Sequence, residues 1–486
     1  MQPRLAVVAT LALAACTSHP NAAPPGGPGA PRQPPATPGY DATRWIPAHP
    51  TYAGAARTVR DAQRAARDLV GTLGMPLELD ELAASALLKQ TAGIDLLSAD
   101  ALAEAGIDLG GGAAVFSEDV NPTVVFHLAS PDKMKAFLAS HLPKSGASQA
   151  VPVGGVDVIT IGDGQIHVSW AVDHDWIWVH YRIGGDAGTT WFEHSRAGGG
   201  GTLPDWQRAE RNGKPAVIGF VDLHALAGAT LASLPGNAAE CVRRFDSIGN
   251  LDITLDADEH TLSTRLSVDI GTLAHAVEAS LLAPPAGWGQ TSAHAPLAAA
   301  WNLDIPAATA WIAPCYRGGD GWQRLRSSGV RAARGVMLSF DDETTFSGAV
   351  ALDLANAKYL TDQLDQLPLR SHLEKDRTFG AYKGHHLSIP MLFAIDYVLT
   401  PTLGLVGRGD GLLERLTAGA PAAGHPPLVA IDLAPPAMSE KQWQGLSRLL
   451  DFGKDTVPSL MHWKALHASL GVEGEQLVID ASAERR

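Results

Sequence analysis

The sequence predicts an α+β protein: two tandem, related modules, each a mostly antiparallel sheet with helices packed on one face. Three observations lead there. The first is length, since 486 residues exceed the size at which one hydrophobic core normally stops growing. The second is that strand-like segments run next to one another with helices between the runs, unlike the strict strand and helix alternation of a parallel sheet. The third is that the order of elements repeats along the chain.

The first sixteen residues stand apart. Met1-Gln2-Pro3-Arg4 carries one positive charge, residues 5–13 are apolar except for Thr10, and Leu13-Ala14-Ala15-Cys16 closes the stretch. That is the layout of a secretory signal. The small pair before a cysteine resembles the lipobox of bacterial lipoproteins. The resemblance implies a signal peptide over 1–15 and a mature chain that starts at a lipidated, palmitate-bearing Cys16. Thr17 stands where an Asp would retain such a protein at the inner membrane, so the implied place is the outer membrane, facing either the periplasm or the outside. Several acyl chains on one cysteine hold far better than a single myristoyl, at about 0.8 kcal/mol per buried methylene.

Residues 16–50 form a Pro-, Gly- and Ala-rich tether centred on Pro24-Pro25-Gly26-Gly27-Pro28-Gly29 and Pro34-Pro35. Such a tract lacks the apolar content to fold. The first module, 51–285, opens on an amphipathic helix over 52–75, in which Val59, Ala62, Ala66, Leu69, Val70 and Leu73 recur at helical spacing. A second helix spans 79–89. The run Leu102-Ala103-Glu104-Ala105-Gly106-Ile107 is then echoed by Leu325-Arg326-Ser327-Ser328-Gly329-Val330, in each case a short helix ending at a glycine able to turn left-handed.

Strands follow at 113–116 and 336–340, then acidic turns at Glu118-Asp119 and Asp341-Asp342-Glu343. Next come strands at 123–128 and 349–354, each leading into a helix, 131–141 and 356–367. Meanders at 156–181 and 378–406 end in glycine corners, Gly184-Gly185-Asp186 and Gly407-Arg408-Gly409-Asp410-Gly411. Strands at 216–223 and 428–433 and hairpins at 251–268 and 468–481 complete each copy. Pro284-Pro285-Ala286-Gly287 is the expected joint, which makes 286–486 the second module. The layout resembles that of secreted bacterial proteins built from two such modules, a resemblance that supplies no catalytic residues.

Charge narrows the partners. With 37 Lys+Arg against 51 Asp+Glu the formal charge is -14, and loss of the signal, which carries Arg4 alone, makes it one unit more negative. A surface of that sign repels phosphate backbones. Nucleic acid is therefore excluded, and the membrane is reached through lipid on Cys16, not through a basic patch. No later run of about eighteen apolar residues is present to span a bilayer. With Cys16 committed, Cys241 and Cys315 are the only other cysteines. One reading joins them in a disulfide, which an oxidising compartment permits; the other buries them as separate thiols.

The candidate ligand face is His174, Trp176, Trp178 and His180, which would share one side of a strand and could bind a sugar or aromatic ring. The alternative is a sheet face buried under a helix. His174 and His180 lie about 20 Å apart in an extended strand, too far to share a metal. His385-His386 would point to opposite faces of a strand or sit at a hairpin tip. Ser130-Pro131-Asp132-Lys133 has the Ser-x-x-Lys spacing of penicillin-recognising enzymes, but Ser as N-cap followed by Pro also reads as a helix start, and the companion motifs are absent. The corner at Gly407 lacks the phosphate-loop Lys-Ser/Thr. Asp252, Asp256, Asp258 and Glu259 crowd one turn without calcium-loop spacing.

No catalytic residue, metal ligand or cofactor site is assigned. The expectation is a lipid-anchored envelope protein that binds or scaffolds an unknown protein or glycan partner without catalysis. Two rivals stand beside it: a periplasmic hydrolase acting on cell-wall material, and an envelope assembly factor. A buried cluster of pKa-shifted groups in a pocket would favour the hydrolase, a shallow apolar groove the binding protein, and an exposed apolar patch the assembly factor.

Overall fold

A computed structural model describes residues 36–73, 95, 97–119, 121–141, 148–162, 166–184, 188–203, 206, 215–225, 248–293, 295–312, 327–342, 345–366, 373–389, 393–418, 426–449 and 456–486. Cys16, Cys241, Cys315, the signal and the helix expected over 79–89 lie outside these residues. The chain divides into two compact units, Met1–Leu234 with Ile248–Asp258, and Pro235–Ser247 with Glu259–Arg486. The division thus falls earlier than the joint read from Pro284-Pro285.

The first unit contains, in chain order, β1 (Tyr52–Ala56), α1 (Val59–Leu73), α2 (Ala99–Glu104), β2 (Ala113–Ser117), β3 (Thr123–His127), α3 (Pro131–His141), β4 (Ser148–Val153), β5 (Val156–Gly162), β6 (Ile166–Asp173), β7 (Trp176–Ile183), α4 (Thr190–Ala197), β8 (Val217–Val221) and β9 (Leu251–Ala257). Its strands pair in the order β4-β5-β6-β7-β3-β2-β1-β8-β9, every neighbour antiparallel.

β1 corrects the helix expected over 52–75. The helix starts only at Val59, where Thr58 Oγ1 accepts a 3.0 Å hydrogen bond from the Asp61 amide, an N-cap. The five residues before it pair on both sides, with β2 and with β8. The small side chains of Ala53, Gly54, Ala55 and Ala56 suit a central strand covered on both faces. The start of α3 is capped as its sequence suggests, with Ser130 Oγ accepting from the Lys133 amide at 3.3 Å.

Helices cover both faces of this sheet, not one. On one face Val125, Ala114, Ala53, Ile218 and Phe220 pack with Trp176 and Trp178 under Phe192 of α4 and Tyr40 and Trp45 of the 3-10 helix Asp41–Trp45. On the other, Phe126, Ile177 and Val179 pack against Leu102 of α2 and Met134 and Phe137 of α3. The reason lies in the strands. Both sides of β3 and β7 are apolar, and two apolar faces need two covers.

The second unit contains β10 (Thr261–Asp269), α5 (Leu273–Glu278), α6 (Trp288–Ser292), β11 (Leu297–Trp301), α7 (Ile305–Ile312), β12 (Val330–Asp342), β13 (Thr345–Leu354), α8 (Lys358–Asp365), β14 (Glu374–Phe379), β15 (Tyr382–Ile389), β16 (Phe393–Leu399), β17 (Leu403–Arg408), α9 (Leu412–Thr417), β18 (Val429–Leu433), α10 (Glu440–Leu449), α11 (Thr456–Leu460), β19 (Trp463–Glu473) and β20 (Gln476–Arg485). The strand order is β14-β15-β16-β17-β13-β12-β11-β18-β19-β20-β10, again antiparallel throughout. β10 joins this sheet through nine residue pairs, from Thr261↔Glu484 to Asp269↔Gln476, which is why the unit begins before the proline pair.

One face of the second sheet packs Ala298, Val336, Ala351 and Leu405 under Trp288 of α6 and Leu412, Leu413 and Leu416 of α9. The other is covered in two patches, by Ile305 of α7 and Leu360 of α8 at one end and by Trp443 and Leu446 of α10 with Val457 of α11 at the other. Arg334 is buried inside the unit, its guanidinium held by Asp353 Oδ2 at 2.6 Å, Asn302 Oδ1 at 2.5 Å and the Leu282 carbonyl at 2.8 Å. A buried charge requires such a full set of partners.

The two glycines expected to end helices adopt the same conformation. Gly106 has φ +93° and Gly329 φ +76°, where a side chain is strained. A Cβ would also stand 2.5 Å from the Ser130 carbonyl oxygen in the first unit and 2.6 Å from that of Asn356 in the second. Their own carbonyls accept from Ala129 and Ala355 at 2.9 and 2.7 Å. Among the described residues no helix is long and apolar enough to cross a membrane.

Candidate functional site

The site grows from β7. Its register sets His180 opposite Thr123 of β3, Trp178 opposite Val125 and Trp176 opposite His127. Trp176, Trp178 and His180 therefore share a face, as alternation requires. His174 does not join them. It sits in the turn between β6 and β7 with φ +52°, exposed, its Nδ1 2.7 Å from Asp173 Oδ1.

The face is largely core. Trp178 is fully buried and lies edge-on to Trp45 and to Phe192. Its Nε1–H donates to Ser195 Oγ at 2.8 Å, and Ser195 in turn donates to the Trp45 carbonyl at 2.6 Å. That chain pins α4 and the 3-10 helix to the sheet, so Trp176 and Trp178 offer no surface to a ligand. His180 stands at the margin of this packing. It stacks on Trp191 of α4, ring centroids 4.7 Å apart and planes 8° from parallel.

Beside that stack is a cleft of about 170 Å³. Phe116, Thr123, His180, Trp191, Asp119 and Arg182 line it, and Glu118 and His194 flank it. Thr123 Oγ1 is 2.9 Å from His180 Nδ1. His180 is 4% exposed, and burial pushes its imidazole down from 6.5 to about 4, with Asp119 pulling upward and Arg182 adding to the depression. His180 Nε2 and Trp191 Nε1, both buried, find no hydrogen-bond partner among the described residues. The indole nitrogens of Trp45 and Trp206 are also unpartnered, but neither residue lines the cleft.

Both carboxylates here are partly engaged. Asp119 Oδ1 accepts from Ser117 Oγ at 2.9 Å and from the Asn121 amide at 2.6 Å, and its Oδ2 accepts from Asn121 Nδ2 at 2.7 Å. Glu118 Oε2 is 2.7 Å from His194 Nδ1. Sequence reasoning found His180 but not Thr123, Asp119, Arg182 or Trp191. Only the pairing of β3 with β7 and the packing of α4 bring them together. The acidic turn at Glu118-Asp119 is the one local signal in the sequence.

Other candidates resolve simply. His385 and His386 lie within β15 and not at its hairpin tip, which is Gly380-Ala381. They face opposite sides, His386 Nδ1 2.8 Å from Asp396 Oδ1 and His385 Nδ1 2.8 Å from Glu374 Oε1. His385 also borders an open cleft of about 550 Å³ with Asn356, Thr361, Tyr397 and Thr400. The Gly407 corner turns β17 into α9, with φ +127° at Gly409 and +66° at Gly411. Asp252 and Asp256 lie in β9, and Asp256 Oδ1 accepts from the Ala216 amide at 3.3 Å. Among the described residues no group of three His, Cys, Asp or Glu is placed to hold a metal ion.

Fold and site together define an antiparallel α+β protein with a small polar cleft in its first unit. The sequence matches no family model, and no curated protein matches it. Among solved structures it is similar to TP0453 in crystal form I, at a TM-score of 0.27 and 10% identity over 47% of this chain and 78% of that one. Crystal form III of TP0453 gives a TM-score of 0.27 and 10% identity over 49% of this chain and 86% of that one. Likeness that distant bears on neither fold nor function.

Proposed function

We propose that this chain is a lipid-anchored cell-envelope protein of two modules related by tandem duplication, and that its first module binds a small ligand in the His180 cleft. The anchor and outer-membrane location rest on the lipobox ending at Cys16 and the proline-rich tether behind it. Duplication is supported by strand orders that coincide once each number in the first unit is raised by ten, through β19, and by the matching conformations of Gly106 and Gly329. Helices recur at equivalent places, α1 and α7, α3 and α8, α4 and α9.

The observation that carries binding is the unpartnered, buried Nε2 of His180 at the cleft wall. A buried polar atom without a partner costs about 1–3 kcal/mol, a cost that a ligand atom bonded there would remove. The hydrolase reading draws on the Thr123 hydroxyl beside His180 Nδ1, the arrangement of a nucleophile and its base. Basicity argues against it. A general base works best with a pKa near the working pH, and an imidazole held near 4 is a poor proton acceptor at neutrality. The assembly reading rests on two exposed cross-strand pairs, Ile166 with Ile183 on β6 and β7 and Val350 with Val406 on β13 and β17.

The test has two arms. Labelled palmitate fed to cells should enter the wild type and not Cys16→Ser; entry into both removes the anchor. Mass spectrometry of small molecules extracted from the membrane-purified protein should find one retained by the wild type and lost from His180→Phe. Identical extracts from the two proteins would refute binding in the cleft.

A further inference from the structure

Hydrogen-bond accounting at the cleft specifies what it takes. Thr123 Oγ1 and His180 Nδ1 share one hydrogen bond, which can run either way. If Nδ1–H donates, the Thr123 proton and the Nε2 lone pair are both left without partners in a buried place. If Thr123 donates, only Nε2–H is left over. The second arrangement strands fewer groups and is the cheaper one. His180 then carries an unbonded Nε2–H, and Trp191, on the ring stacked against it, an unbonded Nε1–H; both residues line the cleft.

The same cleft is lined by acceptors. Glu118 Oε1 accepts nothing among the described residues, and Asp119 Oδ2, an oxygen with two lone pairs, accepts only from Asn121 Nδ2. The site therefore combines two unbonded donors with carboxylate acceptors. Its volume of about 170 Å³, against roughly 10–15 Å³ for a single water by the same measure, leaves room for such a group together with more of the ligand that carries it.

We infer that the cleft binds an uncharged primary amide or closely similar group, with its carbonyl oxygen on His180 Nε2–H and Trp191 Nε1–H and its amide N–H directed to Glu118 and Asp119. A carboxylate of the same shape fits worse, because it would bring a third negative charge beside those two and offer no proton to them. Arg182 does not reverse that balance. It lines the same cleft, but one guanidinium stands against two carboxylates. The inference rests on the binding reading above and narrows it to a ligand chemistry.

Acetamide and acetate have nearly the same size and differ in charge and in the N–H, so they test the inference directly. The whole chain, in detergent and labelled with 5-fluorotryptophan, gives a fluorine resonance for Trp191 that is recognised by its loss in Trp191→Phe. Acetamide should shift that resonance saturably in the millimolar range, and acetate at equal concentration should not. In His180→Phe, which keeps the ring stack, the acetamide midpoint should rise about fivefold, the scale of one neutral hydrogen bond. A shift with acetate as large as with acetamide overturns the ligand class and leaves the cleft as a binding site. No shift with either probe overturns both. An unchanged acetamide midpoint in His180→Phe removes His180 from the site.

Discussion

His180 should couple the stability of the first unit to pH, and the size of the coupling follows from its burial. The folded protein holds the imidazole neutral down to about 4, whereas an exposed histidine titrates at 6.5. Between those values the unfolded chain takes up a proton that the folded chain refuses, so unfolding is favoured as pH falls. The stability is whole above 6.5 and is lost progressively toward 4. Each unit of pKa difference is about 1.4 kcal/mol, so the full loss is about 3 kcal/mol. Asp119 and Arg182 face the ring with opposite charge, which is why burial, the largest cause, decides the sign. His180→Phe keeps the stack on Trp191 and removes the titration. Urea unfolding, followed through the fluorine resonance of Trp178 in the same core, should show wild type and variant diverging by about 1 kcal/mol per pH unit between 6.5 and 4. Parallel pH profiles would refute the reasoning.

Two further outcomes test the packing. Arg334→Met leaves Asp353 and Asn302 facing an apolar side chain, and should lower the stability of the second unit by about 3–5 kcal/mol in urea titration; a loss below about 1 kcal/mol would mean water replaces the guanidinium at little cost. Trp178→Ala should cost about 3–5 kcal/mol, while His174→Asn, at an exposed left-handed turn position, should stay within about 0.5 kcal/mol. Comparable losses from these two would return His174 to the packed face from which the turn removes it.

What could be read in the sequence was whatever is local. The cap at Ser130, the left-handed glycines at 106 and 329, and the strands at 123–128 and 349–354 all announce themselves within a few residues. β1 and β11 did not, and for one reason. Tyr52-Ala-Gly-Ala-Ala and Leu297-Ala-Ala-Ala-Trp are alanine-rich, with the intrinsic preference of helix, yet both lie mid-sheet with a strand on each side. Tertiary pairing overrides propensity there. The face of β7 was legible as alternation, but not its depth: that Trp178 is sealed while His180 reaches a cleft depends on where α4 lands. Thr123 could not be joined to His180 without the register of β3 on β7.

The two units also differ where the cleft lies, and the difference bears on the division of labour between them. If the units descend from one ancestor, the matched bonds at Ala129 and Ala355 align Thr123 with Ala349, since both are reached by counting back equally along β3 and β13. Ala349 pairs with Gly407 as Thr123 pairs with His180. The hydroxyl and imidazole of the first unit thus face a methyl group and a hydrogen in the second. Nor does the second unit keep an empty space there. A Cβ on Gly407 would stand 2.8 Å from a methyl carbon of Leu413, a fully buried residue of α9, so leucine fills the space beside that glycine. A packed apolar plug satisfies itself, whereas His180 Nε2 and Trp191 Nε1 find no partner among the described residues. Close packing is the cheaper solution for a fold; if the two units are related, its absence from the first is what a retained binding function would leave behind.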